Sequence, residues 1–126
     1  MKTNNRLLII SRDAAVYEGL IKALALPDLY INAVESAEKA LVLAKDCTII
    51  LGEPKRIAPV VDRAPKLLWV QSTFAGVEAL IPPQARTDYI LSGVKNVFGP
   101  FMSEYVFSYM VALERHAFDL YRNQHL

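Results

Sequence analysis

An α/β fold built on a parallel sheet is what this sequence predicts, on three observations. Short apolar runs recur along it, at Leu7–Ile10, Leu29–Val34, Cys47–Leu51, Leu67–Val70 and Tyr89–Leu91. Segments with apolar residues three and four apart lie between several of them, the pattern of helices with one buried face. Polar or turn-forming residues such as Ser11, Gly52 and Gln71 end the runs abruptly. Strands that alternate with helices at this spacing favour parallel pairing, with the sheet covered on both faces.

The elements follow in order. Met1–Asn5 is expected to be a polar tail. Leu7–Ile10 is the first strand, and Ser11 or Asp13 can cap the helix after it. In that helix Ala14, Tyr17, Leu20, Ile21 and Leu24 form the inward face, and Pro27 ends it. Leu29–Val34 is the second strand. Ser36 caps a second helix that turns Ala37, Ala40, Leu41 and Ala44 inward and Glu38 and Lys39 outward, and Asp46 closes it. Cys47–Leu51 is the third strand, stopped by Gly52, Glu53 and Pro54. Ile57–Val61 suits a short helix, and Pro65 leads to the fourth strand. Pro82 and Pro83 forbid a long helix after Leu80. Tyr89–Leu91 is the fifth strand, followed by a loop with Ser92, Gly93, Asn96 and Gly99. Five strands in a chain of 126 residues point to a flavodoxin-like three-layer sandwich with a single core.

Composition excludes several classes. Hydrophobic residues are 53% and charged residues 21%, which marks a globular chain. A net charge of +1 gives no support for nucleic-acid or acidic-lipid partners. The one cysteine, Cys47, excludes an internal disulfide and fits a reducing cytoplasm. No apolar run approaches the roughly 18 residues of a membrane span, and no His/Cys/Asp/Glu cluster has metal-ligand spacing.

The stretch Leu67–Leu80, LLWVQSTFAGVEAL, is the candidate site. A buried strand runs into the polar Gln71, Ser72 and Thr73, then into the small Ala75 and Gly76, then into a helix-compatible pattern from Val77. Small residues let a ligand approach the backbone, and the start of a helix leaves N–H groups for an anion. The carboxyl ends of strands are also where open α/β sheets bind ligands.

The last segment, from Pro100 to about Tyr121, reads as one long helix. Val106, Met110, Leu113, Ala117 and Leu120 form one stripe; Phe107, Val111 and Phe118 form another. A covering helix needs one buried face, so the second stripe is expected to meet a partner surface.

Lys66, Leu67, Trp69, Val70, Gln71, Ser72, Ala75, Gly76 and Val77 resemble the "lk-W-I-Q-s-x-x-A-G-V-D" segment of D-isomer-specific 2-hydroxyacid dehydrogenases, with Glu78 in place of the usual Asp. Gly52-Glu53-Pro54 resembles the family's loop after the third strand. Val97-Phe98-Gly99-Pro100 with Ser103-Glu104-Tyr105-Val106, and then Ala112-Leu113 with Arg115, resemble its interdomain helix. Tyr121-Arg122-Asn123-Gln124 is similar to the following linker of the glyoxylate/hydroxypyruvate reductase A subgroup. The resemblance covers nearly the whole chain. It implies reduction of a small 2-oxo acid with NAD or NADP, in a cytoplasmic homodimer. It implies that Ala75 and Gly76 bind the substrate carboxylate through their backbone, and that Gly52, Glu53, Trp69 and Phe74 shape the pocket. Phe101 and Met102 would lie near the nicotinamide.

The resemblance also implies that residues 1–126 are the substrate-binding domain alone, with the NAD(P)-binding Rossmann domain absent. No G-x-G-x-x-G occurs in the sequence, and the family's catalytic Arg, Glu and His belong to that other domain. The chain alone is therefore expected to bind no cofactor, to hold no catalytic residue and to be inactive. His116 and His125 do not match the catalytic His. The competing class is a signalling receiver domain, which shares this fold, but Leu51-Gly52-Glu53 stands where its phosphoacceptor Asp should be. A non-catalytic interaction module that uses the final helix is the third reading.

Overall fold

The computed structural model describes residues 5–124, so most of the expected N-terminal tail, and His125, lie outside the described residues. The chain divides into two compact units, one ending at Val94 and one beginning at Lys95.

The first unit is the predicted α/β sandwich. Strands β1 (Asn5–Ile10), β2 (Leu29–Val34), β3 (Ile49–Gly52), β4 (Trp69–Ser72) and β5 (Ile90–Ser92) make one sheet in the order β2-β1-β3-β4-β5. Every adjacent pair is parallel. Helices α1 (Ala14–Ala23), α2 (Ala37–Leu43) and α3 (Pro54–Val61) supply the crossovers. On one face Leu8, Ile10, Ile50 and Val70 pack with Ala40 of α2 and Ile57 and Val60 of α3. On the other, Leu7 and Ile9 pack with Ala14, Tyr17 and Ile21 of α1. Each large side chain buried this way contributes about 1.5–3 kcal/mol relative to exposure, and these two clusters hold the strand ends in register.

Several boundaries shift. Cys47 lies before β3 rather than in it, closing a 3-10 turn at Ala44–Asp46 with its N–H on the Ala44 carbonyl. Strands β4 and β5 extend one or two residues further than the apolar runs, because the ladder continues through polar side chains: Gln71 pairs with Leu51 and Ser92. Ser36 does cap α2, its Oγ accepting from Lys39 N at 3.4 Å. Asp13 occupies the cap position of α1 without a side-chain bond. The Ser11 hydroxyl accepts from Asp13 N just ahead of the helix and donates to Glu53. Leu20 and Leu24 of the expected inward stripe are 61% and 66% exposed. Among the described residues of the first unit α1 is the helix that packs on that face, and Leu24 lines an apolar trough with Leu26, Ile49, Leu51 and Trp69. The helix expected from Val77 is a single 3-10 turn, Glu78–Leu80, stopped before Pro82 and Pro83.

The second unit holds α4 (Gly99–Glu114) and α5 (Ala117–Asn123). These replace the one helix expected to run to about Tyr121. His116, in the left-handed conformation with φ 53°, breaks it. Neither helix has a buried residue. Rings of Tyr109 and Phe118 still meet across the break, with centroids 6.5 Å apart.

Candidate functional site

The sheet order reverses at β1. Its connection leaves toward β2 on one side, while β3 lies on the other, so the loops at their carboxyl ends diverge and open a crevice. Open α/β sheets bind ligands at such a switch point. Here the crevice is a cleft of about 620 Å³ whose lining includes Arg12 and Asp13 after β1, Glu53 and Arg56 after β3, and Phe74 and Gly76 after β4.

Glu53 organises its floor. Its Oε1 accepts from Ser11 Oγ at 2.6 Å, and its Oε2 lies 2.8 Å from Arg56 Nε. Arg56 in turn donates to the Glu35 carbonyl. One carboxylate thereby ties together the segments after β1, β2 and β3. Asp13 N completes the turn by donating to Ser11 Oγ at 3.1 Å. Because Arg56 offsets the charge of Glu53, the cations left without an ion pair among the described residues at the cleft are Arg12 and Lys55. The anions so left are Asp13 and Glu78. Gly52 lies buried beneath this network. A Cβ there would sit 2.0 Å from the Ile10 carbonyl oxygen, so only glycine lets β1 and β3 approach at this point.

The wall from β4 is shaped by Ser72, whose side chain is buried. Its Oγ accepts from Phe74 N at 2.9 Å and donates to Phe74 O at 2.9 Å. Thr73 N donates to Gly52 O at 2.9 Å, and Val94 N donates to Phe74 O at 3.2 Å. Beyond this anchor the chain bends through Ala75 to Gly76. The N–H groups of Gly76 and Val77 donate to no acceptor among the described residues. Only a 3-10 turn follows these N–H groups, so no long-helix dipole adds to them. The Glu78 carboxylate hangs beside them: a Cβ on Gly76 would lie 2.8 Å from Glu78 Oε2.

The residues proposed from sequence thus separate. Glu53, Phe74 and Gly76 line one cleft, Ala75 lies between the last two, and Gly52 lies under it. Trp69 does not join them. It points to the α1 face of the sheet, in the apolar trough, where Nε1 donates to Ser92 Oγ at 2.8 Å and Ser92 Oγ donates to Gln71 Oε1 at 2.6 Å. Strand alternation explains this, since Trp69 and Gln71 face one way and Val70 and Ser72 the other. Phe101 and Met102 lie in the first turn of α4, in the second unit, and both are exposed. Arg12, Asp13, Lys55 and Arg56 also line the cleft, without a local sequence signal. The switch-point rule would have found them once the strand order was inferred.

Cys47 is unsuited to nucleophilic work. It is buried, its Sγ donates to the Ala44 carbonyl at 3.2 Å, and burial pushes its thiol up to about 11. Among the described residues no three His, Cys, Asp or Glu side chains converge as metal ligands, and no helix is long and apolar enough to cross a membrane. A dinucleotide does not fit here either. The turn from β1 to α1 is Ser11-Arg12-Asp13, with an acidic residue and no glycine where a pyrophosphate would need close backbone approach.

No family model and no curated protein matches this chain. A solved structure does. The chain is similar to a D-isomer specific 2-hydroxyacid dehydrogenase family protein from Aeromonas salmonicida subsp. salmonicida A449, with 43% identity and a TM-score of 0.84. The match covers 97% of this chain and 39% of that one, so the chain spans well under half the length of the protein it resembles. It extends over both units, and the flavodoxin-like arrangement of the sheet is therefore shared by a protein of clearly related sequence.

Proposed function

We propose that this chain is the substrate-binding portion of an NAD(P)-dependent D-2-hydroxyacid dehydrogenase that acts on a small 2-oxo acid of the glyoxylate or hydroxypyruvate type. The observation that carries the reading is the cleft at the β1/β3 switch point, with the Ser72-anchored loop as one wall, in a chain 43% identical to a dehydrogenase family protein. The loop presents backbone N–H groups at Gly76 and Val77 to a carboxylate. Arg12 and Lys55 offer positive charge at the same mouth, opposed by Asp13 and Glu78, and Phe74 covers the apolar end of a small acid. Glu78 must swing aside, and the end of an exposed flexible side chain does so at little cost.

The dinucleotide is held outside these residues, since the β1–α1 turn cannot accept it. Phe101 and Met102 are the candidate contacts to its nicotinamide end, and a homodimer in the cytoplasm is the expected working form. The chain alone should not oxidise NADH or NADPH with glyoxylate or hydroxypyruvate. Joined to a dinucleotide-binding domain of this enzyme class, it should turn over one of these acids. Turnover by the chain alone, above a buffer control, would contradict the assignment. So would failure of every 2-oxo acid to react with the joined protein when that protein binds NADH or NADPH.

A further inference from the structure

We infer that Ser72 is a positioning residue, whose buried hydroxyl sets the Phe74–Gly76 backbone in the geometry that receives the substrate carboxylate. This rests on the reading above and adds to it the group that preorganises the anion site.

A serine at the end of a parallel strand needs no hydroxyl for the ladder, because the backbone supplies those bonds. Ser72 nevertheless lies on the tightly packed face, at 0% exposure, where an unpaired hydroxyl would be costly. Its Oγ meets both the N–H and the carbonyl of a single residue, Phe74, each at 2.9 Å. That bracket fixes the peptide units on both sides of the Phe74 Cα. The chain is held again from behind: Val94 N donates to Phe74 O at 3.2 Å, and the Cβ position of Gly93 is 3.0 Å from the same oxygen. With Phe74 pinned, the chain leaves the anchor in a set direction, and Gly76 two residues on lines the cleft. Fixed donors bind an anion more tightly than donors that must be ordered during binding. Without the Ser72 hydroxyl the strand end and core remain, but Phe74 loses the bracket and the loop samples other directions.

The test compares the 126-residue chain with Ser72→Ala and Ser72→Cys by amide NMR, with glyoxylate as the probe. The cysteine variant keeps nearly the same volume with a much weaker donor and acceptor, which guards against a packing defect in the alanine variant. In the unaltered chain glyoxylate should shift the Gly76 and Val77 amides. In each variant that folds, glyoxylate affinity should fall about tenfold, the equivalent of one lost hydrogen bond. Hydrogen exchange at Phe74 should accelerate, while the amides of β1 and β3 keep their protection. A purely structural serine would change stability and leave anion affinity alone. Unchanged affinity in a variant whose Phe74 amide exchanges faster would overturn the positioning role while leaving the site reading intact. If neither variant folds, the serine is structural and the positioning role fails. If glyoxylate shifts neither amide in the unaltered chain, the site reading fails and takes this inference with it.

Discussion

Glu53 carries more of the site than its place on a loop suggests. It holds Ser11 at 2.6 Å and Arg56 at 2.8 Å, so Glu53→Ala leaves a buried hydroxyl and a guanidinium without their partner. The pair is partly solvated, which limits the expected loss to about 2 kcal/mol, read by urea unfolding. Thr73 is the opposite case. Its Oγ1 is buried and unpaired, so Thr73→Val, of nearly the same shape, should be neutral or stabilise by about 1 kcal/mol in the same measurement. Gly76 does not have a positive φ, and a new Cβ there meets only the movable end of Glu78. Gly76→Val should therefore fold, yet in the joined enzyme it should raise KM or lower kcat, because a branched side chain covers the N–H groups. Unchanged kinetics would move the carboxylate elsewhere. At this scale the sequence was readable where chemistry is local. Small residues after a strand marked Ala75 and Gly76, and Gly52 stood out beside Pro54. The bracket of Ser72, and the bond from Ser11 to a residue 42 positions away, depend on tertiary placement that no local pattern carries. The resemblance puts Trp69 at the pocket, whereas alternation along β4 turns it to the other face.

Elements were legible in kind and less so in extent. The five strands and three covering helices of the first unit follow the predicted order, because apolar runs and helical spacing report burial directly. Their ends moved where polar residues continue a ladder. The final helix misled for a different reason. No Gly or Pro marks the break at His116, and the apolar spacing runs straight through it. Holding a non-glycine residue at φ 53° costs energy, so His116→Gly should stabilise the α4–α5 turn by about 1 kcal/mol. Thermal melting that shows a loss instead would mean that the imidazole compensates. Large apolar side chains of α4 and α5 are exposed, with Phe107 at 64% and Phe118 at 51%. A helix apolar on several sides calls for burial by a partner. The chain should therefore sediment as a dimer or larger, and Phe107→Glu with Phe118→Glu should shift it toward monomer. A chain that stays monomeric at high concentration would refute this.

Across the whole molecule, stability should be greatest near neutral pH. Lys66 holds the Asp46 carboxyl below its ordinary 3.8, and Arg86 does the same for Asp88. A lowered folded value stabilises above the ordinary one and is lost as pH falls through the folded one, so the acid decline sets in below about pH 4. Cys47 works in the reverse sense. Its thiol rises from 9.0 to about 11 in the folded chain, so its contribution is complete below pH 9 and is lost as pH climbs toward 11. Cys47→Ala should flatten that alkaline limb, as read from unfolding midpoints across a pH series. The fold could be read from the whole pattern of strands and helices, whereas the position of the cleft needed the strand order. Amide mapping with glyoxylate against uncharged glycolaldehyde tests whether a 2-oxo acid carboxylate is received at Gly76 in the β1/β3 cleft. Saturable shifts are expected with glyoxylate alone, centred on Phe74, Gly76 and Val77 and reaching Arg12, while the indole of Trp69 in the opposite trough stays unmoved. Equal shifts with both compounds, or shifts centred on Trp69, would contradict it.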